Sequence, residues 1–345
     1  MSEVSAKLYF DDAEIRRQAN TVEDFSLNGW TKLSPIRWTT SESELAFFAD
    51  IGITRRNLSE VKHSKKIGVL LEPLVWTPGA ARAAVVLRNH FDAILTYDDN
   101  LLALGKPFIP YIPGGIQLSP DEPFLLEEKT HDVSISVSAK RTMEGHKLRH
   151  EVVRALGSND SLTVMGQGYK PYINPGEPHN RFRFSIVIEN TRSKHNLTEK
   201  LLHSYLFKCV PIYWGAEIAN HHFRGLLNFE TMEDLEKLLP NLTPDFYNEL
   251  ESDLEENFFR AQELMSKEVN FLRTLSAYKI LAGAVAPPRH SYQLRTGEPV
   301  ESGRDKVSST VSIGLLQRLN RLWKYKFQYF WHPATWAIFS SRRPT

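Results

Sequence analysis

One stretch restricts the folds open to this chain more than any other: Phe184 to Gly215, FSIVIENTRSKHNLTEKLLHSYLFKCVPIYWG. Its first five residues are almost wholly apolar, β-rich and short, which predicts a strand buried on both faces of a parallel sheet. Thr198 is placed to cap a helix whose apolar positions Leu201, Leu202, Tyr205, Leu206 and Cys209 recur at helical spacing. Val210 to Trp214 reads as a second strand, with Pro211 tolerated near its start. The unit is therefore strand–loop–helix–strand, and its loop, Glu189 to Leu197, is longer than such loops usually are. In open α/β sheets ligands sit beyond the carboxyl ends of the strands, where this loop falls. The loop delivers Glu189 and Asn190 at its start and leads to Glu199 and Lys200 on the first helical turn. A helix N-terminus with a lysine beside it suits a phosphate-bearing ligand.

Similar units flank it. Ile67 to Leu71 predicts a buried strand that ends in Glu72-Pro73, and Thr77-Pro78 signals a helix through Leu87. Phe91 to Tyr97 is the next strand, closed by Asp98-Asp99-Asn100. After a turn at Pro110 to Gly115 and a linker at Leu118 to Lys129, a second domain opens near His131. Val133 to Val137 is its first strand. A helix follows Gly145, carrying Leu148, Val152, Val153 and Leu156, with Gly157 placed to end it, and Ser161 to Met165 is the next strand. The spacing puts Arg149 and Lys200 in the first turns of two successive helices, where paired cations would neutralise a diphosphate without requiring metal. Residues 1 to 62 read as a first helix and edge structure. Met232 to Leu239 and Phe246 to Ala284 read as helices, the second divided.

The chain has 345 residues, 41% hydrophobic and 24% charged, a soluble globular composition with room for two domains. The expected division is residues 1–130, residues 131–285, and a connector with a basic tail over 286–345. A net charge of +1 gives no case for nucleic acid as a partner, and a single cysteine excludes an intramolecular disulfide or multi-cysteine zinc site. No run approaches the ~18 apolar residues that a membrane-spanning helix needs, and the N-terminus lacks signal-peptide character. Of four Asn-x-Ser/Thr sequons, the one at Asn196 lies in the ligand loop, where a glycan would obstruct the site, so a glycosylating lumen is not expected.

The pattern IEN…TEKLLHSYLFKCVPIYWG resembles the donor-site signature of the α-1,3/1,4-fucosyltransferases, glycosyltransferase family 10, whose members typically show FEN…Y-x-TEK…P-I-Y-W-G. Ile188 stands where that pattern has Phe, and Asn196 stands where an aromatic, often Tyr, precedes the TEK. Arg149 and Leu156 in RHEVVRAL match an arginine and leucine that the family carries on the preceding helix. Glu72 in IGVLLEP, and FDAILTYDDNLL at Phe91 to Leu102, match its N-terminal half. The resemblance extends over most of residues 65–250 and implies an α/β fold of the GT-B type, two facing Rossmann-like domains. It implies a GDP-sugar donor, most directly GDP-fucose, held by Arg149, Glu189, Asn190, Asn196, Glu199 and Lys200 of the C-terminal domain. It also implies Glu72 as catalytic base. No metal site or cofactor is expected, although a divalent cation could stimulate.

The expected reaction is inverting transfer to a hydroxyl of a glycan, lipopolysaccharide or other lipid-linked acceptor. Use of another nucleotide sugar, and a catalytically idle glycan-binding scaffold at the membrane, remain open alternatives. The resemblance is to the bacterial type without an N-terminal anchor, so a cytoplasmic protein, peripheral on the inner face of the membrane, is expected. The tail supplies a reason for the second part. After Asp305 it holds seven Lys/Arg and no acidic residue, and Leu316, Leu319, Trp323, Phe327 and Phe330 form an apolar stripe, suited equally to an anionic membrane surface or to packing back across the N-terminal domain. Blander readings accompany the rest. Asp98 and Asp99 read as turn formers, His146 and His150 as surface histidines without a third ligand, and Gly166-Gln167-Gly168 as an incomplete dinucleotide fingerprint.

Overall fold

In a computed structural model that describes residues 4–9, 36–39, 41, 43–117 and 126–281, the strands fall into two parallel sheets. The first contains β1 (Val4–Tyr9), β2 (Ile36–Thr39), β3 (Leu45–Ala49), β4 (Lys65–Val69), β5 (Ala93–Thr96) and β6 (Phe108–Pro110). Their spatial order is β2-β1-β3-β4-β5-β6. The second contains β7 (His131–Ser136), β8 (Leu162–Met165), β9 (Phe182–Ile188), β10 (Val210–Trp214) and β11 (Leu227–Asn228), ordered β11-β10-β9-β7-β8. Every described pairing within the two sheets is parallel. This is the α/β, GT-B layout expected from the sequence.

The helices that matter to the site cross between these strands. Pro78–Leu87 (α1) joins β4 to β5, with Pro78 in its first turn, and Glu144–Leu156 (α2) joins β7 to β8. Glu199–Leu206 (α3) joins β9 to β10; Thr198 caps it by accepting the Lys200 N–H. Strand burial explains the hydrophobic runs: all five residues of β10 and six of the seven in β9 are buried. A sheet covered on both faces favours such continuous apolar strands.

Two differences from the sequence expectation have physical causes. Within the N-terminal residues, β1, β2 and β3 are strands, and Leu45–Ala49 (LAFFA) is a fully buried central one. A five-residue apolar run has no period from which strand can be told from helix. Second, the division expected within 246–284 falls between helices Glu251–Glu263 (α4) and Lys267–Ala277 (α5), but α5 returns to the first sheet. Phe271, Leu272 and Leu275 are wholly buried there with Ala6, Phe47, Tyr97 and Tyr111. Phe271 meets Tyr111 edge-on at 5.6 Å. Each such side chain adds about 1.5–3 kcal/mol of apolar burial, enough to fix the return. Helix amphipathicity announces that a face is buried but not against which sheet, so the sequence grouped α5 with residues 131–285.

A strap between the sheets ties them to one another. Gly114 donates its N–H to the Leu197 carbonyl at 2.9 Å and Gly115 donates to the Leu264 carbonyl at 2.9 Å. Gly114 has φ +52°, and a Cβ there would lie 2.4 Å from the Leu264 carbonyl oxygen, so the position demands glycine. Of the expected linker, residues 118–125 lie outside the described residues, as does the whole connector and tail from 282. Among the described residues no helix is long and apolar enough to cross a membrane.

Candidate active site

The carboxyl ends of β9 and β10 carry the signature residues, and their geometry begins with a buried carboxylate. Glu189, directly after β9, is 0% exposed. One oxygen accepts the Thr198 N–H at 3.0 Å and the other accepts the Thr198 hydroxyl at 2.7 Å. Tyr213, on β10, reaches the first oxygen at 3.4 Å. Glu189 therefore folds the loop back so that α3 starts beside the strand end. A buried carboxylate left unpaired would cost several kcal/mol, which explains why each oxygen is used.

That fold sets Lys200. Its Nζ lies 2.9 Å from Glu199 Oε1, 3.1 Å from Thr198 Oγ1 and 3.5 Å from Glu189 Oε2, while the side chain keeps 28% exposure. Burial opposes the ammonium, but Glu199 and Glu189 outweigh it and raise its pKa. Burial likewise pushes the Glu199 carboxyl up, but the charges of Lys200 and Lys267 outweigh it and hold the group at about 2. Both groups are ionised at neutral pH, an arrangement that fixes one ammonium while leaving part of it to meet a ligand.

Arg149 approaches from α2. It lies in the second turn rather than the first, because the helix begins at Glu144, five residues earlier than the arginine. The guanidinium reaches over the end of β9: Nε donates to the Ile188 carbonyl at 3.1 Å, Nη2 donates to the same oxygen, and Nη2 also donates to Asn190 Oδ1 at 3.1 Å. Burial lowers its pKa to about 10, opposed by Glu189 and Glu199, so it stays charged. The close approach of α2 to this strand end needs Gly145: a Cβ there would sit 1.7 Å from the Glu189 carbonyl oxygen, and the Gly145 N–H donates to the Asn190 carbonyl at 3.0 Å.

Asn196 lies within the loop, buried, with its Nδ2 donating to Thr191 Oγ1 at 3.3 Å and its N–H donating to Ser193 Oγ at 2.8 Å. Thus Arg149 is bonded to Asn190, while Glu189, Glu199 and Lys200 are bonded together around Thr198; the two groups adjoin in the chain at Glu189-Asn190, and Asn196 shapes the loop between Asn190 and Thr198. Glu72 is elsewhere, on the first sheet, two residues beyond Leu70 at the carboxyl end of β4, and exposed. Electrostatics links the two edges. Burial lowers the Lys140 pKa; Glu72 raises it, and Lys200 and Arg149 lower it, so one lysine senses residues of both sheets.

Several of these neighbours were not foreseen. Lys140 lies in the β7–α2 loop, 5.4 Å from the Trp76 ring centroid, and Trp76 Nε1 donates to Met143 Sδ at 3.4 Å. The rule that placed the 189–197 loop at a ligand site applies equally to this one. His146 and His150 are buried rather than superficial. His146 caps α2 by accepting the Met143 N–H at 3.3 Å. Burial, then Arg149, Lys140 and Lys200, lower its pKa to about 4, so it is neutral and reports a concentrated positive field. Asp98 is a helix cap, accepting the Leu101 N–H at 3.0 Å. Among the described residues no three His, Cys, Asp or Glu side chains gather as metal ligands would. A positive field fixed by buried carboxylates and helix starts can hold a polyanion such as a diphosphate.

No family model matches the chain, and no curated protein matches it. Among solved structures, it is similar to an alpha1,3-fucosyltransferase crystallised with GDP, at 16% identity, covering 80% of this chain and 89% of that chain with a TM-score of 0.44. A structure of alpha1,3-fucosyltransferase with GDP-fucose aligns over the same shares at 16% identity and a TM-score of 0.41. TarM aligns at 10% identity over 68% of this chain and 54% of that chain, with a TM-score of 0.46.

Proposed function

We propose that this chain is an inverting glycosyltransferase that uses a nucleoside-diphosphate sugar, GDP-fucose in particular, and transfers the sugar to a hydroxyl of a glycan or lipid-linked acceptor. The observation that carries this reading is the ionised pair Arg149 and Lys200, held at one sheet edge by the Ile188 carbonyl, Asn190, Glu189 and Glu199. In the reaction the acceptor oxygen attacks the anomeric carbon as the bond from that carbon to the diphosphate oxygen breaks. Glu72 takes the acceptor proton, and Lys200 and Arg149 meet the negative charge that develops on the leaving diphosphate. Single displacement from the face opposite the diphosphate inverts the anomeric configuration. Glu189 and Asn190 keep the two cations in register, and Glu199 orients Lys200. Two fixed cations make a metal ion unnecessary in this reading, although a divalent cation could still stimulate.

A specific observation favours a second donor sugar. Asn196, where the resemblance leads one to expect an aromatic, is buried and bonded within its own loop, so the contact an aromatic would offer to the donor is absent. Calorimetric titration of the full chain with GDP and with UDP tests the nucleotide, and a screen of nucleotide sugars for release of the nucleotide tests the sugar. GDP binding with GDP-fucose turnover is expected. Preference for UDP would transfer the reading to another donor, and binding to neither would favour the idle glycan-binding scaffold. The tail that motivates attachment to an anionic membrane lies outside the described residues. Deleting 311–345 and measuring sedimentation with anionic liposomes tests that part separately.

A further inference from the structure

A second buried carboxyl lies on the Glu72 side of the site, and the reaction outlined above gives it no task. Asp50 follows β3 directly, is buried, and has φ +42°, a left-handed conformation that few residues other than glycine adopt. The conformation turns its side chain across the end of the neighbouring strand. Oδ1 accepts the Leu71 N–H at 3.0 Å and the Glu72 N–H at 3.4 Å, whereas Oδ2 is buried with no hydrogen-bond partner among the described residues. Two tyrosines complete the hold on the same three residues. Tyr111 donates its hydroxyl to the Leu70 carbonyl at 2.9 Å, and Tyr97 donates to the Leu71 carbonyl at 3.2 Å. The Leu70 N–H still donates to the Leu95 carbonyl of β5 at 3.0 Å, and beyond it the Leu70–Glu72 backbone is fixed by side chains from three neighbouring segments. Strain and an unsatisfied buried oxygen at one residue are costs that packing alone does not explain.

We propose that Asp50 is the positioning residue for Glu72: its sealed carboxyl holds the peptide that carries Glu72 and so sets where that side chain meets the acceptor hydroxyl. This inference rests on Glu72 acting as the base. Asp50 itself cannot touch the acceptor, since neither oxygen is accessible in the way that Glu72 is. Its environment also makes its charge variable near neutrality. Burial first and the Glu72 charge second raise its pKa to about 7, with the Leu71 and Glu72 N–H groups and Lys267 on α5 acting in the other direction. Tyr97 and Tyr111 also face it, and both are held neutral. Below about pH 7 Asp50 carries a proton and above it a charge; the Oδ1 grip is available in both forms, but the charged form repels the Glu72 carboxylate that it positions, so turnover changes as Asp50 ionises.

The test uses the full chain, GDP-fucose as donor with release of GDP as the readout, and calorimetric GDP affinity beside it. Asp50→Ala should lower kcat by roughly 10–10²-fold, the loss expected when a reacting group is displaced by about an ångström or less, with GDP affinity unchanged. Asp50→Asn, which keeps the Oδ1 acceptor but cannot ionise, should restore near-normal kcat at pH 6 and lack the limb near pH 7 that the unaltered enzyme displays. In a Glu72→Gln background, Asp50→Ala should cost less than about twofold, because the group it positions is already disabled. Equal losses in both backgrounds, or a matching fall in GDP affinity, would overturn the inference. If Asp50→Ala does not fold, an Asp50→Asn pH profile identical to that of the unaltered enzyme overturns it instead. Undiminished turnover in Glu72→Gln alone would show that the base assignment has failed. Loss in Glu72→Gln with full activity in Asp50→Ala would show that only the Asp50 inference has.

Discussion

The two sheet edges that meet at the site are built in opposite ways. On the second sheet the side chains proposed to meet the donor are themselves locked. Glu189 is spent on Thr198, Lys200 is held among three oxygens, and Arg149 grips the Ile188 carbonyl. On the first sheet it is the backbone that is locked, by Asp50, Tyr97 and Tyr111, while the Glu72 side chain remains exposed. The contrast fits two different tasks. A diphosphate is already charged in the donor and gains further charge at the same place as it leaves, so its partners can be preorganised in advance. A general base must instead stay open to a hydroxyl that arrives with each acceptor.

The largest effect should come from the open edge. Glu72→Gln keeps the shape but cannot take a proton, and transfer from GDP-fucose should fall by roughly 10²–10⁴-fold, measured as product formed at saturating donor. Survival of transfer would make another strand-end carboxylate the base. At the locked edge, Lys200→Ala and Arg149→Ala should each slow transfer by roughly 10²–10³-fold, the usual loss of one transition-state charge partner. Arg149→Lys should be impaired too, because a single ammonium cannot reproduce the two-nitrogen grip on Ile188. Near-normal turnover in either alanine variant would break the comparison.

Legibility in the sequence follows the same division. The second sheet's edge was readable because Glu189, Asn190, Thr198, Glu199 and Lys200 sit within a dozen residues, so a local pattern contains most of the bonded partners. Both strands of that unit, its cap and its helix fall where periodicity and capping place them. The first sheet's edge draws on Asp50, Glu72, Tyr97 and Tyr111, which are brought together only by strand order, and order is not written in any one segment. Asp50 also follows a strand too short to announce itself. His146 and His150 were misread because their spacing conveys a helix face but not that the β7–α2 loop folds against it, with the Lys140 carbonyl 3.1 Å from His150 Nε2 and the Met143 N–H 3.3 Å from His146 Nδ1. Lys140 was legible in principle, from its place after a strand, and was passed over because its loop has no motif.

A smaller effect tests the buried carboxylate. Glu189→Ala should destabilise the fold by about 1–3 kcal/mol, since it strands the Thr198 N–H and hydroxyl, as read by denaturant unfolding. The smallest concerns pH. Burial lowers the pKa of His203 to about 4, against Glu199, which raises it, and its Nε2 accepts the Gln117 N–H at 3.2 Å. The unfolded chain takes up a proton at this histidine near its ordinary value while the folded one does not. Stability present above about pH 6.5 is therefore lost as pH falls toward 4. Going from about pH 7 to about 5.5 should cost about 1 kcal/mol through this residue, and His203→Gln should remove that part of the slope.

The central claim is that the locked edge binds the nucleotide diphosphate independently of the open edge that performs proton transfer. Titration calorimetry of GDP into Glu72→Gln and Lys200→Ala, side by side with the unaltered chain, tests it most directly. The account predicts unchanged GDP affinity in Glu72→Gln and a loss of roughly tenfold or more in Lys200→Ala, the scale of one charge-assisted contact. Unchanged affinity in Lys200→Ala, or an equal fall in both variants, would contradict it.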